Sequence, residues 1–220
     1  SELGYLALDD RQDGAYFGKG LGLPTWNKNP YEGPKILEMN PGDEFALMLV
    51  PHGRIEEAFK NPSRGGHKRP VFSLSSDNQE LGFPVGQIAD ITGDGKIFGF
   101  EDVKADSNKG DRNYSDVVFK IEGAEGEVYQ LDEVINQKKD WRSKPIFEKL
   151  EESLEYPNIN FDTGKFVVGE TGEVSIDYLF DGGWYRGEVG VFSLAGIDEL
   201  EIRSYEDFVK EASRRVLSNS

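Results

Sequence analysis

The apolar residues of this chain come in runs too short to make long helices, and turn-forming residues close each run. EFALMLV (44–50), DVVFKIEG (116–123), EVSIDYLF (173–180) and EVGVFSLAGI (188–197) are examples, with Gly, Pro, Asn or Asp at or near their ends. Short apolar or alternating runs between such residues favour strands over helices. The 26 glycines and 10 prolines among 220 residues supply the turns. YLAL (5–8), KILEM (35–39), VFSLSS (71–76), FPVGQIADI (83–91), IFGFEDV (97–103) and GKFVV (164–168) read as further strands, and VYQLDEVI (128–135) ends the first series. KILEM and EFALMLV flank the turn signal NPGD (40–43) and read as consecutive strands. The pattern amounts to roughly nine to eleven strands. It predicts a mainly β fold, a β-sandwich or jelly-roll-like architecture.

Two segments carry helical spacing instead. KPIFEKLEESLE (144–155) puts Ile146, Phe147, Leu150 and Leu154 on one face. SYEDFVKEASRRVL (204–217) offers Ser204 as N-cap, with Phe208, Ala212 and Val216 as an apolar stripe. Both stripes are expected to pack on the core as peripheral α-helices. RIEEAF (54–59) suits one helical turn. The expected organisation is one integrated domain over 1–220. Residues 1–140 would form a β core, and 141–220 would add a helix, three strands and a final helix.

Charge narrows the function. There are 41 acidic against 25 basic side chains, a net charge of -16. Such a surface repels phosphate backbones and anionic lipid, so neither nucleic acid nor membrane insertion is expected. No apolar run approaches the ~20 residues of a membrane span. The absence of cysteine removes disulfides, thiolate metal sites and cysteine nucleophiles. Two histidines, His52 and His67, leave little for imidazole chemistry. No zinc-protease, serine-hydrolase or phosphate-loop motif is present, and the chain is not expected to be an enzyme.

The acids concentrate between residues 90 and 116. DITGDGKIFGFE (90–101) follows most of the spacing of an EF-hand calcium loop. Asp90, Thr92 and Asp94 take the first alternate positions. Gly95 stands at the sharp turn, Lys96 offers a carbonyl, and Glu101 closes the twelve residues. Thr92 and Phe98 depart from the pattern, and strand-like flanks replace the helices, so a calcium loop between strands is expected. Glu101, Asp102, Asp106, Asn108, Asp111, Asn113 and Asp116 follow as further hard oxygen donors. Either cluster alone would read as a solvated acidic loop. Together, between IFGF and DVVF, they point to a cation, because crowded carboxylates repel one another. FDGGWYRGE (180–188) is a third candidate, with Asp181 and Glu188 around a Gly-Gly turn, though a β-hairpin with a packed Trp explains it better than a site does.

Residues 86–126 resemble an uncharacterised calcium-associated domain of large secreted bacterial proteins, among them cyanobacterial exoproteins, adhesins and subtilisin-like peptidases. The resemblance rests on Phe100, Glu101 and Asp102, followed by Asp111, Asn113, Tyr114, Asp116, Val117, Val118 and Phe119. Ser115 stands where Asn is common in that family. PGDEFALMLVPHG (41–53) is similar to its earlier strands, and residues 173–196 are similar to a block that precedes the Phe-Glu-Asp block there. This order implies a circular permutation, which requires neighbouring termini at Ser1 and Ser220. The resemblance implies an extracellular calcium-bearing β-sandwich.

The expected function is therefore a calcium-binding structural module of a secreted or cell-surface protein, with Ca2+ as its ion and other domains of that protein as partners. Asp90, Asp94, Glu101, Asp102, Asp106, Asp111, Asn113 and Asp116 are the expected ligands. The alternative is calcium-dependent recognition of a glycan or peptide on Trp184, Tyr185, Trp26 or Trp141. A carboxylate-based hydrolase ranks below both.

Overall fold

Glu44–Val50 (β3) shows why the chain folds in layers. Phe45, Leu47 and Leu49 face one way and Ala46, Met48 and Val50 the other, and all six are fully buried. A strand that is apolar on both faces needs cover on both. The computed structural model describes residues 4–18, 21–23, 27–75, 83–84, 86–152, 164–182, 187–197, 199–200, 202 and 204–219.

Twelve described strands form two six-stranded sheets. The first runs Gly4–Asp9 (β1), Glu188–Ser193 (β12), β3, Phe166–Val168 (β10) and Ala124–Gly126 (β8), with Val71–Phe72 (β4) also paired to β3. The second runs Lys35–Glu38 (β2), Glu173–Phe180 (β11), Val117–Glu122 (β7), Ile97–Phe100 (β6), Ile88–Asp90 (β5) and Tyr129–Gln130 (β9). All pairings are antiparallel except β5 with β9. Both halves of the chain contribute to both sheets. The sandwich expected from the strand pattern is the architecture observed.

Alternate residues of the two sheets meet between them. Phe45 stacks on Phe166, Phe98 meets Phe166 edge-on at 5.2 Å, and Phe119 lies beside Phe98 and Phe100. The outer face of the first sheet is covered by Ile55–Lys60 (α1) and Tyr205–Val216 (α4). Ser204 caps α4, accepting from the Asp207 amide at 3.1 Å, as its spacing predicts. The outer face of the second sheet is covered by Leu131–Val134 (α2) and Pro145–Glu152 (α3), with Trp141 between them in sequence. Leu154 lies outside the described residues.

KILEM and EFALMLV are consecutive strands around NPGD, as expected, but in different sheets, and Gly42, at φ +83°, lies in the turn that takes the chain from one to the other. Several other boundaries differ from the sequence pattern. VYQLDEVI is a two-residue strand that breaks into α2, because Gln130 and Glu133 supply a helix-opening capping box. VFSLSS and FPVGQIADI keep only two and three strand residues among those described. The short β8 was hidden, since AEG carries no apolar signal.

β1 packs against α4 and the 3-10 turn Leu217–Asn219. A Cβ on Gly4 would stand 2.7 Å from the Arg215 carbonyl oxygen. The described ends are therefore neighbours. Ser1 and Ser220 lie outside the described residues. Among those described, no helix is long and apolar enough to cross a membrane.

Phe98 fills the layer between the sheets and is fully buried. Phe98→Ala is expected to cost about 3–5 kcal/mol in urea unfolding. Lys109→Ala, on an exposed loop residue, is expected to change stability by less than ~0.5 kcal/mol.

Candidate functional site

The eight expected ligands fall into two groups with one outlier. Asp90 and Asp94 belong to the turn between β5 and β6. The Asp90 carboxylate accepts the amides of Thr92 (3.2 Å), Gly93 (2.9 Å) and Gly95 (2.8 Å), so it staples the turn to the end of β5. Gly93 and Gly95 have φ of +77° and +72°, which lets their amides point inward. Asp94 Oδ1 accepts from the Thr92 hydroxyl (2.7 Å) and the Lys96 amide (3.2 Å). Asp94 Oδ2 is buried and has no hydrogen-bond partner among the described residues. Burial outweighs the three amides at Asp90 and, with Asp94 nearby, raises its carboxyl above the usual range.

Glu101 does not close this loop. β6 pairs Phe98 with Asp90 and Phe100 with Ile88, so Glu101 lies beyond the far end of β6 from the turn. At ~3.4 Å per residue, the four strand residues separate the two by more than 10 Å. The EF-hand-like spacing is thus divided by a strand, and Glu101 belongs to the second group.

That group is built around a backbone turn. Arg112 and Tyr114 both adopt left-handed conformations, at φ +50° and +57°. Bulky residues rarely do so, and the cost is of order 1–3 kcal/mol each. The return is that the amides of Arg112 (3.2 Å) and Tyr114 (2.6 Å) both point at the Glu101 carboxylate. Asn113 Oδ1 accepts from the Ser115 amide and hydroxyl, and its Nδ2 donates to Asp111 at 2.7 Å. The Trp141 indole donates to the Asn113 carbonyl at 2.6 Å, and the Tyr114 hydroxyl to that of Gly86 at 2.5 Å. Asp116 Oδ2 accepts the Asp102 amide at 2.9 Å. Gly99 makes the crossing possible: a Cβ there would stand 2.2 Å from the Tyr114 carbonyl oxygen.

Glu101, Asp102, Asp111 and Asp116 thereby share one electrostatic neighbourhood. Burial, the amide bonds opposing it, and the Asp111 and Asp102 charges leave the Glu101 carboxyl pushed up to about 7. Asp116 is raised well above the carboxylate range by burial and then by Asp102 and Glu101. Asp102 is raised by burial, against the opposing pull of His52 and His67. His52 Nε2 stands 3.7 Å from Asp102 Oδ2 and brings the β3–α1 connection of the first sheet to this site. Asp106 is the outlier, exposed and paired with Lys104 at 3.2 Å.

The donor set suits a hard cation. It consists of carboxylates with an Asn beside them, without sulfur, and an orphaned carboxylate oxygen, that of Asp94, lies in the turn at the opposite end of β6. Among the described residues, however, no three His, Cys, Asp or Glu side chains stand gathered as a ready coordination shell. Side-chain rotation within the second group would be needed to close one.

The remaining sequence candidates are placed as follows. Glu188 accepts the Ile55 amide at 2.7 Å, at the start of α1, and has a structural part. Asp181 is fully buried at the end of β11. Trp141 is 2 % exposed, edge-on to Phe147 and Phe180, and cannot serve as a recognition platform. Trp26, Trp184 and Tyr185 lie outside the described residues. The conformational signal missed in the sequence is the left-handed pair Arg112 and Tyr114, which no residue preference announces.

A family model described as "Domain of unknown function (DUF4114)" matches residues 39–124, from just after β2 to the first residue of β8 and across both acidic groups. No curated protein matches the chain. No solved structure matches it either.

Two outcomes are expected. Gly99→Ala should destabilise by about 1–3 kcal/mol, because the Tyr114 carbonyl must move. Glu101 binds a proton in the metal-free fold up to about pH 7 but, once unfolded, only up to its ordinary value near 4.5. Its contribution to stability is therefore complete below the lower value and lost as pH rises through the upper one. Urea unfolding in chelator across this interval should show a decline that Glu101→Gln makes shallower.

Proposed function

We propose that the chain is a calcium-binding structural module of a secreted or cell-surface protein, without catalytic activity of its own. One observation carries this reading. Glu101, Asp102, Asp111 and Asp116 crowd the end of β6, and burial and neighbouring carboxylates raise three of them, Glu101, Asp102 and Asp116, against the pull of histidines, backbone amides and an Asp102–Asp116 side-chain bond. A fold that spends strained backbone and buried carboxylates at one place gains from an ion that neutralises them. Calcium, which takes six to eight hard oxygens and tolerates irregular geometry, suits the donors better than magnesium.

In this reading Glu101, Asp102, Asp111 and Asp116 hold the ion, and Asn113 and main-chain carbonyls complete its shell. Asp90 and Asp94 form a lesser second position around the orphaned Asp94 oxygen. Asp106 contributes long-range charge alone. The ion would tie the 101–116 connection to the sheet and, through Asp102 and His52, to the other sheet. Outside a cell, where calcium is plentiful, the module and the domains it adjoins would be stiffened.

A hydrolase reading gains little. Glu101 has the raised pKa of a general acid, but it is 1 % exposed and both its oxygens accept backbone amides.

Thermal unfolding tests the proposal. At calcium about a hundredfold above its Kd, the melting temperature should rise by roughly 5–10 °C over chelator, with magnesium giving less. Asp116→Asn should abolish that rise while leaving the metal-free melting temperature equal or higher, since it removes repulsion. Identical melting in chelator and calcium would refute the assignment.

A further inference from the structure

From Ala58 to Ser76 this acidic chain carries no Asp or Glu. Lys60, Arg64, His67, Lys68 and Arg69 stand in that stretch, at the end of α1 and on the connection to β4. Lys60 and Arg64 are bonded back to Glu56 and Glu57 of α1, at 2.5 and 2.9 Å. Arg69 is held differently. Its guanidinium carbon lies over the Tyr205 ring of α4, 3.6 Å from the centroid. Tyr205 is fixed in turn, 6 % exposed and with its hydroxyl donating to the Pro70 carbonyl. Arg69 Nε is buried and has no hydrogen-bond partner among the described residues. Nη1 and Nη2 also lack a partner among the described residues, but they are open to solvent. His67 and Lys68 are exposed on the adjoining 3-10 turn Gly66–Lys68. Over Gly65 and Gly66 the space is open, since a Cβ on either would meet no atom within 4 Å.

We infer that Arg69 anchors a docking site for an acidic peptide, taking one carboxylate between Nη1 and Nη2, independently of the cation. The planar fork of a guanidinium matches the two oxygens of a carboxylate. Stacking on Tyr205 holds that fork before the ligand arrives, so little side-chain freedom is lost on binding. Burial of Nε leaves the Nη edge as the face presented. The net charge of -16 repels a continuous polyanion, such as a sulfated glycan, over the rest of the surface. A peptide with an isolated acidic residue instead brings its charge to one point, on the stretch that carries no acid. The open space over Gly65 and Gly66 leaves room for its main chain.

Amide-resolved NMR titration of the whole chain, in chelator and at low salt, tests this. The probe is an acetylated and amidated Gly-Glu-Gly peptide, with Gly-Gln-Gly as the neutral control and sulfate and a sulfated disaccharide as rival anions. The glutamate peptide should give saturable shifts at Gly65, Gly66 and His67 with millimolar Kd, and the glutamine peptide none. Arg69→Gln should weaken binding about tenfold, equal to ~1.4 kcal/mol. Arg69→Lys, which keeps the charge and the fold but not the fork, should weaken it about fivefold. Asp116→Asn should leave it unaltered, which separates this site from the cation reading. The inference is overturned if the glutamate peptide does not saturate, if the glutamine peptide binds as tightly, if either rival anion binds more tightly, or if both Arg69 variants keep the original Kd.

Discussion

The double burial of β3 is the constraint that organises the molecule. Each side chain from Phe45 to Val50 must be covered, so one sheet alone cannot suffice. The second sheet covers Phe45, Leu47 and Leu49, while α1 and α4 cover Ala46, Met48 and Val50. β12 and β10 lie on either side of β3, and both come from the last third of the chain. The pairing of β3 is therefore long-range, and the acidic connection at 101–116 is positioned only once that frame has closed.

The site inverts the logic of the core. Apolar burial stabilises the sandwich wherever it occurs, whereas burial of Glu101 and Asp116 costs free energy. Two left-handed residues, Arg112 and Tyr114, aim amides at Glu101 and recover part of that cost. Tyr114 and Trp141 then lock the strained turn from the outer face of the second sheet. Such concentration of strain and like charge is more economical as a binding device than as a stabilising one. At a cavity between β1 and β2, by contrast, Asp13 is paired with Lys35 and the Tyr178 hydroxyl is bonded to Asp10.

Much of the fold was legible because strand patterning is local. EVSIDYLF is β11 from end to end, and EFALMLV is β3 from end to end. The α4 stripe and its Ser204 cap follow from spacing alone. NPGD marks the turn between two consecutive strands, but composition does not say whether the second pairs back on the first or crosses to another sheet. The failures have local causes too. VYQLDEVI mixes strand formers with a capping box, and the box prevailed. Asp90 and Glu101 match a one-loop spacing only while the residues between them remain a loop. Once Ile97–Phe100 is extended, the two ends separate.

The sequence by itself determined the layered β architecture, the acidic character of the 90–116 segment and the residue types from which a hard-cation site would be made. These depend on residue order and side-chain chemistry, which act over a few positions. Tertiary structure alone decided which acids share a neighbourhood. Asp111 and Asp116 join Glu101 and Asp102 because the connection folds back over Gly99, where a side chain would collide with the Tyr114 carbonyl. Asp106, equally acidic and closer in sequence, stays in solvent beside Lys104. Proximity in space and removal from water set the charge interactions, and neither quantity is written in spacing along the chain.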